Sequence, residues 1–390
     1  MPELRQNRFN KEWVIIATER AKRPKDMVVL RAPRHLPAFD PKCPFCPGNE
    51  KATPPEVLRV TAPSNGRWLV RVVPNKFAAL QPELTPQRIV ERSHRTVNGF
   101  GVHEVVIETP DHSQVTALMP DAQVASVFRS LKARCTDLSL DSRIANVIIF
   151  KNHGVDAGTS LEHPHSQLIA TPVISSQVRS RLHEALRHYD EFGECIFCSA
   201  VGEELQDKSR LVMVTDHFVA LEPFASFTPF CTHIYPRRHM ANFADISGEE
   251  ISDLAHVLRL VLAKLYYGLH DPDFNFTIRS APAECAGVKY YHWYVSIIPR
   301  LTRVAGFELG SGMYINTVLP EAAAEFLREV NVESAAAPDD PLLLLRRHQS
   351  LGGRRQGVSG LSGFLRRAQN RRRIHLPPGL RRPQPGPPFH

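Results

Sequence analysis

Two histidines one residue apart, His163 and His165, followed at the same spacing by Gln167, are the residues of this chain best suited to chemistry. In the stretch Ser160-Leu161-Glu162-His163-Pro164-His165-Ser166-Gln167-Leu168-Ile169-Ala170, the alternation predicts a strand that sets His163, His165 and Gln167 on one face. A neutral imidazole, the dominant form near pH 7 for a pKa of ~6.5, can attack phosphorus directly. The phosphorus–nitrogen bond is labile enough to hand the group on, so the chemistry expected of His165 is group transfer. Ser160, Ser166 and Gln167, with backbone amides of the Gly154-to-Ser160 loop, are candidates to donate to phosphoryl oxygens as charge develops.

Four of the seven cysteines sit in two tight pairs, Cys43-Pro44-Phe45-Cys46 and Cys195-Ile196-Phe197-Cys198. No export signal opens at Met1-Pro2-Glu3-Leu4-Arg5, so such pairs read as metal knuckles rather than disulfides. Each pair is followed by a histidine in a Pro-containing turn, His112 or His239, and by one at the start of a strand, His163 or His292. Two thiolates and two imidazoles make a closed tetrahedral zinc set: Cys43, Cys46, His112, His163 and Cys195, Cys198, His239, His292. With all four positions filled by protein, neither zinc has room for substrate, which leaves His165 as the free group beside the first set.

These residues need two similar scaffolds. His112 and His163 are 51 residues apart and His239 and His292 are 53 apart, a recurrence that points to duplication. In the first half, strands are expected over Glu12 to Ala17, Trp68 to Val73, His103 to Glu108 and Val147 to Phe150. Asp121 is expected to cap a helix from about Ala122 to Thr136, and a second helix runs from about Ser176 to Tyr189. In the second half, Leu211 to Leu221 lines up with Leu69 to Leu80. Ser247-Gly248-Glu249-Glu250 opens a helix by a capping box, with Ile251, Leu254, Leu258, Val261 and Leu265 on its apolar face. Tyr294 falls where His165 stood and Ser296 where Gln167 stood, so the second copy is expected to bind and support rather than catalyse.

The net charge of +8 belongs to the far end of the chain. Eleven arginines against Asp339 and Asp340 give residues 336–390 a charge of +9, so the preceding 335 residues carry −1. That segment, rich in Arg, Gly and Pro, is expected to be disordered. It makes a zinc-bearing nucleic-acid-binding protein the rival class, disfavoured because the basic residues lie far along the chain from the histidines and no aromatic ladder accompanies them. No apolar run is long enough to span a bilayer, and the cytoplasm is the expected compartment.

His163-Pro164-His165-Ser166-Gln167, with Cys43-x-x-Cys46, Pro110-Asp111-His112-Ser113, and the opening Glu12 to Ala17 through Lys22-Arg23-Pro24, resembles the galactose-1-phosphate uridylyltransferase family of the histidine triad superfamily. The resemblance implies an α+β fold of two tandem histidine-triad-like halves, antiparallel sheets with packed helices, and a homodimer. The halves are expected at 1–175, catalytic, and 190–332, with a tail at 336–390. It also implies ping-pong transfer: His165 attacks the α-phosphorus of UDP-glucose, and a hexose 1-phosphate, galactose 1-phosphate, then takes the uridylyl group. By position, Gln167 and Ser160 hold the phosphates, Asn152 lies beside them, Asn75 and Phe77 meet the nucleotide, and Glu308 meets the hexose. The second Cys-x-x-Cys with His239 and His292, and the run Gly306 to Asn316, resemble instead the ADP-glucose phosphorylase branch, in which an adenylyl-histidine passes to phosphate.

Overall fold

The structure is a computed structural model that describes residues 1–18 and 36–332. The Lys22-Arg23-Pro24 stretch and the expected tail therefore lie outside the described residues. The chain runs β1 (Glu3–Gln6), β2 (Trp13–Ile16), β3 (Leu58–Thr61), β4 (Trp68–Pro74), β5 (Arg88–Glu91), β6 (His94–Val97), β7 (Val102–Ile107), α1 (Asp121–Ser139), β8 (Asn146–His153) and β9 (His165–Thr171). It continues with α2 (Ser176–Phe192), α3 (Ile196–Asp207), β10 (Leu211–Val214), β11 (Phe218–Leu221), β12 (Thr232–Pro236), α4 (Gly248–Leu269), β13 (Phe274–Arg279), β14 (Tyr294–Pro299), α5 (Gly306–Ser311), β15 (Tyr314–Asn316) and α6 (Pro320–Glu329).

Ten of these strands form one antiparallel sheet in the order β10-β11-β12-β14-β13-β8-β9-β7-β4-β3. Read outward from its middle, the sheet repeats: β8-β9-β7-β4-β3 on one side answers β13-β14-β12-β11-β10 on the other. The expected duplication is thus a pair of five-stranded halves. They are joined along β8 and β13, where Phe274 pairs with His153 and Ile278 with Ile149. This order corrects one expected alignment. Leu211 to Leu221 folds back on itself as β10 and β11, so β11 rather than β10 answers β4.

The helices α1 and α4 pack against each other over the sheet, each burying an apolar stripe, that of α4 being the predicted one. From α1 come Val124, Val127, Leu131 and Cys135, and from α4 Ile251, Leu254, Leu258, Val261 and Leu265, all in the main core. Truncating a core leucine such as Leu258 to alanine costs about 2–5 kcal/mol. Asp121 is the first helical residue of α1 and not its cap; its carboxylate instead accepts from His256 Nδ1 at 2.8 Å and from Arg259 Nε, both on α4. Tertiary pairing displaced a local cap. The capping box on α4 forms as expected, with Glu250 N–H to Ser247 Oγ at 3.2 Å and Ser247 N–H to Glu250 Oε2 at 2.7 Å. Helix α2 runs past its expected end to Phe192, because Gly193 supplies the left-handed residue (φ 73°) that closes it.

The strands β1, β2 and β15 make a small separate sheet. In it β2 runs parallel to β15, with Val14 opposite Tyr314, so the first residues of the chain are bound into the second half. Among the described residues no helix is long and apolar enough to cross a membrane.

Candidate functional site

His165 opens β9 and is only 7% exposed, yet its side chain lines a cleft of about 570 Å³. Its Nδ1 lies 2.8 Å from the His163 carbonyl oxygen, to which it donates; the lone pair of the ring is then on Nε2. Burial, reinforced by the nearby Lys151 charge, holds the imidazole below its ordinary pKa and therefore neutral near pH 7. The edge of Phe45 packs against the ring, centroid to centroid 5.5 Å.

The cleft gathers most of the predicted site residues. Gln167, Ser160, Asn75 and Phe77 all line it with His165. Gln167 shares the His165 face two residues along β9, and its Oε1 accepts from His103 Nε2 at 2.8 Å, which leaves the amide NH₂ as its donor. His103, on β7, was not singled out from the sequence. Its Nδ1 accepts from the Ala79 N–H at 3.3 Å, and Asn75 Nδ2 lies 3.1 Å from its Nε2. Phe77 is 86% exposed at the cleft rim, an aromatic face free to stack on a base.

Two predicted residues are elsewhere. The Asn152 side chain accepts from Asn275 Nδ2 at 2.8 Å across the seam between the halves and does not line the cleft. Glu308 lies in α5, where its Oε2 accepts from the Ala305 N–H at 3.0 Å, again away from the cleft of this chain. His163 precedes β9 instead of sharing its face with His165.

Beneath the nucleophile candidate lies a buried charge pair with no local sequence signature. Lys151 Nζ donates to Glu108 Oε2 at 2.8 Å, and the two side chains are 2% and 1% exposed. Ser166 Oγ donates to Glu108 Oε1 and Thr116 Oγ1 to Oε2 at 3.1 Å, while Lys151 Nζ also reaches the His165 carbonyl at 3.4 Å. Burial alone raises the Glu108 pKa, but the Lys151 ammonium and these hydrogen bonds outweigh it and the carboxyl is held below its ordinary range. Ser166, expected among the phosphoryl donors, is committed to Glu108.

Both Cys/His sets assemble. In each, one ligand atom from every residue lies within 4.8 Å of the others. In the first, Cys46 Sγ is 3.5 Å from His112 Nδ1 and 3.7 Å from His163 Nδ1, and Cys43 Sγ is 3.7 Å from His163 Nδ1. His163 Nε2 donates to the Thr109 carbonyl at 2.8 Å, which leaves the Nδ1 lone pair facing the sulfurs, the orientation a metal requires. In the second, Cys198 Sγ is 3.3 Å from both His239 Nδ1 and His292 Nδ1, and His239 Nε2 donates to the Val288 carbonyl at 3.1 Å. The donor types, their count and their ring orientations fit a tetrahedral metal ion in each half. Through Phe45, which also meets the His163 ring edge-on at 6.0 Å, the first cluster props the wall on which His165 stands.

Comparison with known proteins agrees with this geometry. The model of the galactose-1-phosphate uridyl transferase N-terminal domain matches residues 1–175, and that of the C-terminal domain matches residues 177–337. An ADP-glucose phosphorylase from Arabidopsis thaliana is 35% identical over 335 residues, covering 85% of this chain and 93% of that protein. A galactose-1-phosphate uridylyltransferase from Thermotoga maritima is 32% identical over 343 residues, covering 85% of this chain and all of the relative. The crystal structure of an ADP-glucose phosphorylase from Arabidopsis thaliana with bound ADP-glucose superimposes with a TM-score of 0.73 at 34% identity, covering 85% of this chain and 99% of that one. With a histidine lining a cleft between a Cys/His cluster and hydrogen-bond donors, and both domain models matched in tandem, the chain belongs to the galactose-1-phosphate uridyl transferase family and is a nucleotidyltransferase.

Proposed function

We propose that this chain moves a nucleotidyl group from a nucleotide sugar to a phosphate oxygen through a covalent nucleotidyl-His165 intermediate. The observation that carries the reading is the fixed tautomer of a buried, neutral His165 at the wall of a cleft wide enough for a nucleotide sugar. The Nε2 lone pair attacks the α-phosphorus, the bond from that phosphorus to the bridging oxygen breaks, and a sugar 1-phosphate leaves. In the second step an acceptor phosphate oxygen attacks the same phosphorus, the phosphorus–nitrogen bond breaks, and the imidazole is restored. Gln167 and Ser160 donate to the non-bridging oxygens, and Asn75 and Phe77 receive the nucleoside.

For substrates, adenylyl transfer from ADP-glucose to inorganic phosphate is favoured by the relative at 35% identity and by the superposition on the ADP-glucose complex. Uridylyl transfer from UDP-glucose to galactose 1-phosphate, expected from the histidine motif, is the second reading and is favoured by the Thermotoga relative. The rival nucleic-acid reading has no support in the family match or the site. Both Cys/His clusters are read as closed zinc sites that hold the loops in shape and leave the chemistry to His165.

Incubation with labelled ADP-glucose or UDP-glucose tests the mechanism and the substrate together. The wild-type chain is expected to form an acid-labile, alkali-stable adduct that His165→Ala does not form, with ADP-glucose plus phosphate turned over at least about tenfold faster, roughly 1.4 kcal/mol in the transition state. An adduct on the His165→Ala chain refutes the nucleophile, and faster turnover of UDP-glucose with galactose 1-phosphate reverses the substrate order.

A further inference from the structure

The second half has a small cavity at the place that answers the catalytic cleft. It measures about 110 Å³ and is lined by Arg181 of α2, Arg279 of β13, His233 of β12, and Tyr294 and Ser296 of β14, with Glu12 from the N-terminal segment. Tyr294 opens β14 as His165 opens β9, and Arg279 sits directly opposite it in the β13–β14 ladder.

The charges of this cavity are unbalanced. Among the described residues, neither Arg181 nor Arg279 forms an ion pair with a carboxylate. Arg181 Nη1 donates to the Gln177 carbonyl at 3.2 Å. Against burial, its guanidinium is also hydrogen-bonded to the Tyr294 side chain and feels the Glu12 carboxylate, which together hold it above its ordinary range. Arg279 Nε is buried without a hydrogen-bond partner. The one carboxylate in the lining, Glu12, accepts from Asn10 Nδ2 at 2.7 Å. Burial and then the neighbouring Arg181 charge push the Arg279 guanidinium below its ordinary range, the mark of two like charges sharing one desolvated space. A desolvated guanidinium N–H left unmatched, as Arg279 Nε is, is unfavourable unless an anion meets it.

We propose that this cavity binds a phosphoryl oxyanion, inorganic phosphate or the phosphate of a small ester, between Arg181 and Arg279. The forked guanidinium groups match the geometry of phosphate oxygens, and the Tyr294 and Ser296 hydroxyls add neutral donors. The volume suits a tetrahedral anion and is several times too small for a nucleotide sugar, whose cleft in the first half measures about 570 Å³. Two guanidinium groups exclude a cation. The second copy thus keeps a phosphate site where it lacks a nucleophile, and this assignment does not rest on the role of His165.

Crystals of the full wild-type chain soaked in selenate are expected to give an anomalous peak between Arg181 and Arg279 that excess inorganic phosphate displaces. No peak there overturns the proposal. Equilibrium dialysis against labelled inorganic phosphate and, separately, glucose 1-phosphate, counted as binding beyond the one equivalent that the His165 cleft takes, identifies the source: tighter binding of one at this second site assigns the free anion or the ester. Arg279→Met is expected to weaken this binding at least tenfold while adduct formation at His165 keeps its wild-type rate. Arg181→Gln, on the half-buried face of a helix, does the same if the Arg279 variant fails to fold. Unchanged phosphate binding in the folded variants refutes the site.

Discussion

Lys151→Met removes the cation beneath β9 and leaves Glu108 buried and unmatched. At the observed 2.8 Å, and with an effective dielectric of ~20, the pair attracts by about 6 kcal/mol, against several kcal/mol of desolvation for each ion. The net value of the pair is therefore small, but stripping one partner exposes the full penalty. Lys151→Met is expected to destabilise the chain by about 3–5 kcal/mol, whereas Lys151→Met with Glu108→Gln restores much of the loss. Urea unfolding of the wild type, both single variants and the double variant closes the cycle, read at constant m. The pair also carries a pH signature. Because the Glu108 carboxyl is held below its ordinary value of 4.5, its contribution is fully present above that value and lost as pH falls through the lower, folded-state pKa. Single losses that simply add in the double variant refute the coupling and with it the account of this pair as the support of the histidine strand.

Glu222 is wholly buried, its Oε1 accepting from Thr232 Oγ1 at 2.9 Å, and burial raises its pKa well above 4.5. The unfolded chain loses that proton first, so stability falls as pH rises above 4.5, by at most about 1.4 kcal/mol per unit. Glu222→Gln is expected to raise the melting temperature at pH 8 and not at pH 4, and an equal shift at both refutes the assignment. Cys46→Ser and Cys198→Ser are each expected to remove one equivalent of zinc by elemental mass spectrometry, the first abolishing the His165 adduct and the second lowering stability alone; full metal retention in either contradicts that ligand set. Ser247→Ala breaks the capping box of α4 and is expected to cost about 1 kcal/mol in urea, with no effect on adduct formation.

The two Cys/His clusters were legible in the sequence because both halves repeat the same residue order, so each made the other credible. The place of His165 in the cleft was legible because it lies two residues from a cluster histidine, and that of Gln167 because strand periodicity carries it to the same face. Lys151 and Glu108 were not legible. They meet only because β8 and β7 flank β9, which sets Lys151 and Val106 opposite Ser166, and no local pattern announces a register between distant strands. His103 was hidden in the same way, as was the pairing of β2 with β15. Asp121 was misread in the opposite direction: its type and place suited a cap, but its two carboxylate oxygens are taken by His256 and Arg259 of α4.

The seam between β8 and β13 makes each copy the cover for the other's raw edge. Separated, either half presents a long central strand with an open row of amides and carbonyls, the template for indiscriminate strand addition. A fragment ending after β9 is thus expected to need its sister to stay in solution, whatever chemistry either can perform alone. The seam is a pairing of backbones along β8 and β13, so it holds whichever side chain opens the next strand, histidine at β9 or tyrosine at β14.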